Sequence, residues 1–386
     1  IFYLIFFFEK KKILKKDWYN LQIFHAYWDS CLIMMKDTQI KPNFFQKFKS
    51  SMLICETIHK FLKIKNDLNY VFLGHTVYKY RVILALCRKY NIKIFTSANF
   101  NIQIQKKNED LSWSYISKKQ LKKFQTKISK KLVQNYWNRR LSGKSNYSDA
   151  AIASKIKSKI KNYPENVVLL HIFKDSPYNV IDRERIFFDY FDWIKETIKL
   201  VKSSNEKWAF RLHPNYKRWG ENQNLILKKI IGNNIDNKNI LIDDRIISNN
   251  SMFRNAKRII TFSGTSHLEA SCFGIKPIVI SDVTLSRLDK KFVLKPKKLT
   301  QYKKFIFSSS SDKLFKQSKK VIEISKTAIF IRENLLTMKK NINTEHVYRN
   351  DNIKKEDKFL FKKILRRINY VNKFMFEKGK ILGNYK

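Results

Sequence analysis

Residues 258–281 read RIITFSGTSHLEASCFGIKPIVIS, and the fold turns on this stretch. The apolar run RIITF stops abruptly at Ser263-Gly264-Thr265-Ser266. A helix-like segment, SHLEASCFG, follows, and Gly274 and Pro277 then lead into a second apolar run, PIVIS. A short apolar run bounded by turn residues suits a strand buried on both faces. Strand, helix and strand in succession make a βαβ unit of a parallel sheet. The four small polar residues admit two readings. They form either a tight turn in which Thr265 or Ser266 caps the helix, or a cradle whose backbone N–H groups and hydroxyls hold a phosphate, with Gly264 letting the backbone come close.

The same alternation extends in both directions. VVLLHIF (167–173), WAFRL (208–212) and NILI (239–242) read as further strands. The segments 184–204, 220–231 and 251–256 read as helices, the second ending near Gly232. In 184–204 the residues Ile186, Phe187, Tyr190, Phe191, Ile194, Ile198 and Val201 share one broad face. The half from 164 to 345 is therefore expected to be Rossmann-like. Before it, LQIF (21–24) reads as a strand and 44–63 as a helix, while VFLG (71–74), 78–90 and IKIFT (92–96) make another βαβ unit. Residues 106–162 are Lys-rich and mostly helical in pattern, ending at Tyr163-Pro164. The expected domains are 1–163, 164–345 and a basic tail, 346–386, in which FLFKKILRRINYVNKFMF (359–376) has the spacing of an amphipathic helix.

Composition narrows the partners. The 386 residues carry 79 Lys and Arg against 32 Asp and Glu, a net charge of +47, and the 44% hydrophobic content is enough to fill real cores. Such a charge suits solvated outer faces, an anionic membrane surface or nucleic acid. No nucleic-acid recognition motif accompanies it, which argues against the last. Cys31, Cys55, Cys87 and Cys272 are widely spaced, giving no zinc or disulfide pattern and fitting a reducing cytoplasm. The opening IFYLIFFF, eight apolar residues, is too short to span a bilayer and reads as a buried strand; the first residue is Ile, so a truncated start is expected. Peripheral attachment at the inner face of the cytoplasmic membrane fits this charge.

Ligands of a parallel sheet bind beyond the carboxyl ends of its strands. The residues there are Lys174 and Asp175, His213 and Pro214, Asp243-Asp244-Arg245, and Ser263 to Ser266. Together they offer a cation, an imidazole, hydroxyls and a helix start, a set suited to a phosphate. Glu269, early in the following helix, is placed to accept hydrogen bonds from the hydroxyls of a ribose or sugar, or else to balance the helix dipole. No D-x-D triplet, P-loop or GxGxxG occurs, so neither a metal nor a cofactor is expected.

The pattern HxFxDxP (171–177), DWIKETI (192–198), RLHPN (211–215), SGTSHLEASCFGIKP (263–277) and LGHTVYKYRVILALCRKYNIKIF (73–95) resembles the bacterial capsule and surface-polysaccharide glycosyltransferases of the GT-B fold, and is similar to transferases using CMP-activated sugars such as Kdo and sialic acid. The resemblance implies an α/β fold of two Rossmann-like domains facing a central cleft, with a helical tail. It implies metal-independent transfer of a sugar from a nucleotide-sugar donor to a lipid-linked or polysaccharide acceptor. The donor side falls to Lys174, Asp175, His213, Pro214, Ser263, Gly264, Thr265, Ser266 and Glu269. The acceptor base falls to Asp29 or His75, with Tyr80, Arg81 and Arg140 on the acceptor side. The acidic-acidic-Gly motif of many sialyltransferases is absent, which leaves the donor sugar open. Two other classes compete: a nucleotide-sugar 2-epimerase on the same fold, and a non-catalytic binder of anionic surfaces or nucleic acid.

Overall fold

A computed structural model describes residues 18–35, 39, 41–73, 80–98, 101–104, 116, 118–126, 128–143, 162–173, 186–187, 189–217, 220–232 and 239–332. The described residues fall within one compact unit. IFYLIFFF and the basic tail 346–386 lie outside the described residues.

The N-terminal part begins with helices α1 (Trp18–Ile33) and α2 (Phe44–Ile64), followed by strand β1 (Tyr70–Leu73), helix α3 (Tyr80–Lys89), and strands β2 (Lys93–Ala98) and β3 (Asn101–Ile104). The expected strand at LQIF is instead the middle of α1. Ile23, Phe24, Tyr27 and Cys31 recur at helical spacing and bury together with residues of α2 and α3. A four-residue apolar run fits strand and helix alike, and the longer pattern around it decides. β1 and β2 pair in parallel across α3, as the sequence leads one to expect, and β3 adds an antiparallel edge that the sequence reading did not assign. Helices α4 (Lys118–Gln125) and α5 (Lys130–Leu141) follow.

From 162 onward the alternation holds throughout. Its elements are β4 (Asn166–Leu169), α6 (Tyr190–Lys202), β5 (Trp208–Arg211), α7 (Gln223–Ile231), β6 (Ile240–Asp243), α8 (Asn249–Asn255), β7 (Arg258–Thr261), α9 (Ser266–Cys272) and β8 (Ile278–Val279), then α10 (Thr284–Leu288), α11 (Leu299–Phe307) and α12 (Lys319–Phe330). Among the described residues these strands form one parallel sheet in the order β6-β5-β4-β7-β8. Side chains alternate across it. Val168, Phe210, Ile260 and Ile278 pack with Trp193 and Ile194 of α6, Leu227 of α7 and Tyr302 of α11. Val167, Leu169, Ala209 and Ile259 pack with Phe253 of α8 and Ala270 of α9. Each fully buried Val, Leu, Ile or Phe among them contributes about 1.5–3 kcal/mol, which is why these strands read as apolar runs.

Local signals set the helix ends. Asp189, extended at φ −145°, accepts a hydrogen bond from Asp192 N–H at 2.9 Å, so α6 starts at Tyr190 rather than 184. Gly232, at φ +87°, ends α7. The N-terminal elements also reach the large sheet. Leu32 and Met35 join the core beside α6, and the Trp28 indole N–H donates to Asp189 Oδ2 at 3.1 Å. Val133, Tyr136 and Trp137 of α5 share a core with Leu268 and Cys272 of α9 and with Val321 and Ala328 of α12. The sheet and its helices are thus α/β throughout. Among the described residues no helix is long and apolar enough to cross a membrane.

Candidate functional site

The strand order fixes where a site belongs. From β4 the chain moves through α6 to β5 on one side, and from β7 through α9 to β8 on the other. The direction reverses between β4 and β7, so the crevice beyond their carboxyl ends is the switch point at which open α/β sheets bind ligands. The segments 170–173, 212–215 and 262–266 emerge there from β4, β5 and β7. Lys174 and Asp175, expected at this edge, lie outside the described residues.

His171, buried at the end of β4, organises the crevice. Its backbone N–H donates to the Tyr190 hydroxyl at 2.7 Å, and its Nε2 lies 2.8 Å from Thr261 Oγ1. The single Thr261 hydroxyl proton goes to the Ser263 carbonyl at 2.9 Å, so His171 Nε2 carries the proton and donates. By the same count the Ser266 hydroxyl, 3.1 Å from Thr261 Oγ1, donates inward. Burial, then the nearby His213, hold His171 well below the ordinary histidine pKa, so it is neutral near pH 7.

Gly264 sits against this imidazole. Its φ is +82°, and a Cβ added there would lie 2.8 Å from His171 Cε1. The glycine is required twice, for its left-handed backbone and for the ring beneath it. Thr265 occupies the N-cap position of α9, at φ −92° and ψ −12°, with no side-chain cap. Neither expected hydroxyl cap forms at that helix. A capping side chain needs an extended backbone at this position, and Ser266 is already turned to Thr261. Thr265 instead uses its carbonyl, accepting from Leu268 N–H at 2.9 Å. Its hydroxyl makes no hydrogen bond among the described residues. His267 Nδ1 donates to the Gly264 carbonyl, and burial lowers its pKa to about 3.

His213 stands across the crevice, its ring centroid 6.4 Å from that of His171. Its Nδ1 accepts from Asn215 N–H at 3.2 Å, which leaves Nε2 as the ring nitrogen that can donate. Pro214 places Asn215 for that contact. Buried Gln223 staples the two histidine segments together, its amide donating to the His171 carbonyl at 2.8 Å and accepting from His213 N–H at 2.9 Å. Glu221 accepts from Phe173 N–H at 3.1 Å and from Gln223 Nε2 at 3.0 Å. Sequence reasoning did not single out Gln223, Glu221, Tyr190 or Thr261. For His171 a signal existed, because a histidine closes the apolar run VVLL.

The remaining expected residues lie apart from this cluster or are engaged with one another. Glu269 Oε1 pairs with Arg140 of α5 at 2.5 Å, their side chains 14% and 5% exposed. One carboxylate oxygen is therefore committed to a guanidinium 129 positions earlier. Asp243, read from sequence as a strand end, is a structural hub. Its Oδ2 accepts from Arg211 at 2.5 Å and from the Tyr163 hydroxyl at 2.6 Å, and its Oδ1 from Ile246 N–H at 2.8 Å. Burial, with the Asp243 charge beside it, pushes the Tyr163 hydroxyl pKa up. Asp29 is fully buried within α1 rather than following a strand. Arg81 is buried on α3 and donates to Gln22 of α1 at 3.2 Å, while Tyr80 is half-buried at the start of α3. His75 lies outside the described residues. Among the described residues no group of three or more His, Cys, Asp or Glu could hold a metal ion. In comparisons with known proteins, no family model, no curated protein and no solved structure matches the chain.

Proposed function

We propose that the chain is a metal-independent glycosyltransferase of GT-B-like architecture. It moves a sugar from a nucleotide-sugar donor, a CMP-sugar above others, to a lipid-linked or polysaccharide acceptor. One observation carries this reading: the segments that follow β5 and β7 emerge beside the switch between β4 and β7, where His213 and Gly264 both lie near His171 and Thr265 follows Gly264. An open α/β sheet binds a nucleotide at that place. N–H and O–H donors suit the oxygens of a phosphate leaving group, on which negative charge builds as the glycosidic bond breaks. Glu269, anchored by Arg140 through one oxygen, keeps its other oxygen for a ribose or sugar hydroxyl. The small sheet β1-β2-β3 supplies the acceptor half, and the acceptor proton goes to a base there. Of the two candidate bases, Asp29 is fully buried within α1, and His75 stands two positions after β1 in the sequence.

The test is a thermal shift with CMP and UDP nucleotides without added divalent metal. At a hundredfold excess over Kd, a ligand bound only by the folded state adds about 2.7 kcal/mol and a readily measured rise in Tm. His213→Ala and Thr265→Ala abolish the shift. A shift that survives both substitutions refutes the site, and sugar transfer that requires added metal refutes the metal-free chemistry.

A further inference from the structure

Helix α2 is built inside out over its first three turns. An α-helix advances about 100° per residue. That places Phe44, Phe48, Met52 and Phe45 within an arc of about 100°, with Ile54 and Phe61 on the opposite side. Ile54 and Phe61 are buried, as on any amphipathic helix. The outward arc, however, is not polar. Phe44 is 69% exposed, Phe45 67%, Phe48 49% and Met52 58%, and the rings of Phe44 and Phe48 stack with centroids 6.3 Å apart. The polar residues of these turns point inward instead. Gln46, Ser50 and Ser51 are buried. Gln46 is fully used there, accepting from Asn43 N–H at 2.9 Å and donating to the Met34 carbonyl and Gln39 Oε1 at 2.8 Å. The bonds from Gln46 to Met34 and Gln39, with the burial of Ile54 and Phe61, fix the rotation of the helix, so the aromatic face cannot turn inward without breaking them.

A contiguous apolar patch on a surface marks a contact with something apolar. The charge around it identifies the occupant. Lys41 and Lys49 are exposed beside the patch and Lys47 is half-buried. From Thr38 to Cys55 the sequence has no Asp or Glu. A second copy of the chain would bring the same lysines, on a chain of net charge +47, against themselves. An anionic bilayer complements both features, its acyl boundary taking the aromatic rings and its headgroups the lysines. We propose that the first three turns of α2 form a membrane-docking face for anionic lipid, inserting Phe44, Phe45, Phe48 and Met52 at the headgroup boundary. This inference is independent of the donor-site reading, and its failure would leave the nucleotide shift untouched.

Cys55 makes the face addressable, because it is exposed on the same side of α2 one turn beyond Met52, while Cys31, Cys87 and Cys272 are buried. The full chain, labelled at Cys55 with an environment-sensitive fluorophore, is mixed with vesicles of phosphatidylcholine and phosphatidylglycerol or of phosphatidylcholine alone. The emission is expected to shift further to the blue with the anionic vesicles than with the neutral ones. In flotation at high salt, where attraction through the other basic faces is screened, Phe45→Ser with Phe48→Ser lowers the bound fraction roughly tenfold or more. Their melting curves should superimpose on that of the parent because both rings are exposed. Met52→Lys, on the same face, gives a second reading if the double variant does not fold. Three outcomes overturn the proposal: vesicle binding without a shift of the Cys55 probe, binding unchanged in both variants, or a dimer in light scattering that the Phe substitutions dissolve, which would assign the face to a second copy.

Discussion

Gly264→Ala separates two reasons for a glycine. At φ +82° a residue with a Cβ meets its own following carbonyl, which costs about 1–2 kcal/mol. The new Cβ would also stand 2.8 Å from His171 Cε1. The ring has little room to retreat, since it is buried and its Nε2 is held 2.8 Å from Thr261 Oγ1. Forcing a methyl into such a site costs about 1–3 kcal/mol more. The sum, about 2–5 kcal/mol, lowers Tm by roughly 4–20 °C if each kcal/mol is worth roughly 2–4 °C in a domain of this size. In a His171→Ala background the steric part disappears and the backbone part stays, so Gly264→Ala should then cost only about 1–2 kcal/mol. The expected coupling is thus about 1–3 kcal/mol, against the roughly 0.5 kcal/mol within which unconnected sites add. Urea denaturation of the parent, the two single variants and the double variant measures it. Additive effects, or a single Gly264→Ala that costs nothing, would refute the packing of the SGTS loop on His171.

Other consequences follow from the same geometry. Arg140→Met strands the Glu269 carboxylate at a site where it is 14% exposed, and should destabilise by about 3–5 kcal/mol. Adding Glu269→Leu should restore most of that loss, and a double variant no more stable than Arg140→Met would show that the pair is not what holds α5 to α9. Folding stability should fall in mild acid. His267 has a folded pKa of about 3 and His171 one well below 6.5, so between those values and 6.5 the unfolded chain binds the extra protons. The stability these residues give is complete above pH 6.5 and declines as pH falls, each contributing about 1.4 kcal/mol per pH unit. His267→Asn should remove one proton from that slope, and a parent whose urea midpoint is flat from pH 7 to pH 5 would contradict the burial of both rings. Gln223→Leu leaves the His171 carbonyl and the His213 N–H without their shared partner, so about 2–4 kcal/mol of stability should go with the nucleotide-induced shift. A shift of full size in that variant would mean that Gln223 does not position the site.

How much of this was legible in the sequence depends on the range of the interaction concerned. The strands from β4 to β8 could be read because each is an apolar run, buried except in the half-buried edge strand β6, and turn residues such as Gly232 and Gly274 lie where the chain bends back. Parallel pairing followed from the alternation, and the order of strand ends followed from that. LQIF failed because four apolar residues do not distinguish a strand from a helix, and its partners on α2 and α3 are brought to it only by folding. β3 failed because its pairing residues, from Ile104 opposite Phe95 to Asn101 opposite Ala98, carry no strong turn signal between them. The site was half legible. His213, Gly264 and Thr265 stand at strand ends in the sequence, but the roles of Gln223 and Arg140 depend on contacts 52 and 129 positions away. Nothing local announces such contacts.

The state of the histidines bears on how the switch-point crevice would hold an anion. Burial keeps His171 and His267 neutral near pH 7, and hydrogen bonds to Thr261 and Gly264 fix where each proton sits. The SGTS loop therefore rests on oriented dipoles rather than on charge. Fixed dipoles need no reorganisation when charge moves onto a leaving phosphate, and they act most strongly where water is excluded. Interactions of that kind depend weakly on salt, whereas attraction between lysines and an anionic surface fades as salt rises. If both proposals hold, the net charge of +47 and the crevice serve different ends, the first bringing the protein to an anionic surface and the second recognising a small anion once there. On this account a nucleotide should bind almost as well at high salt as at low, while the α2 face should lose its preference for anionic vesicles over neutral ones. If nucleotide binding collapsed with salt in parallel with vesicle binding, the crevice would have to be read as one more part of the basic surface.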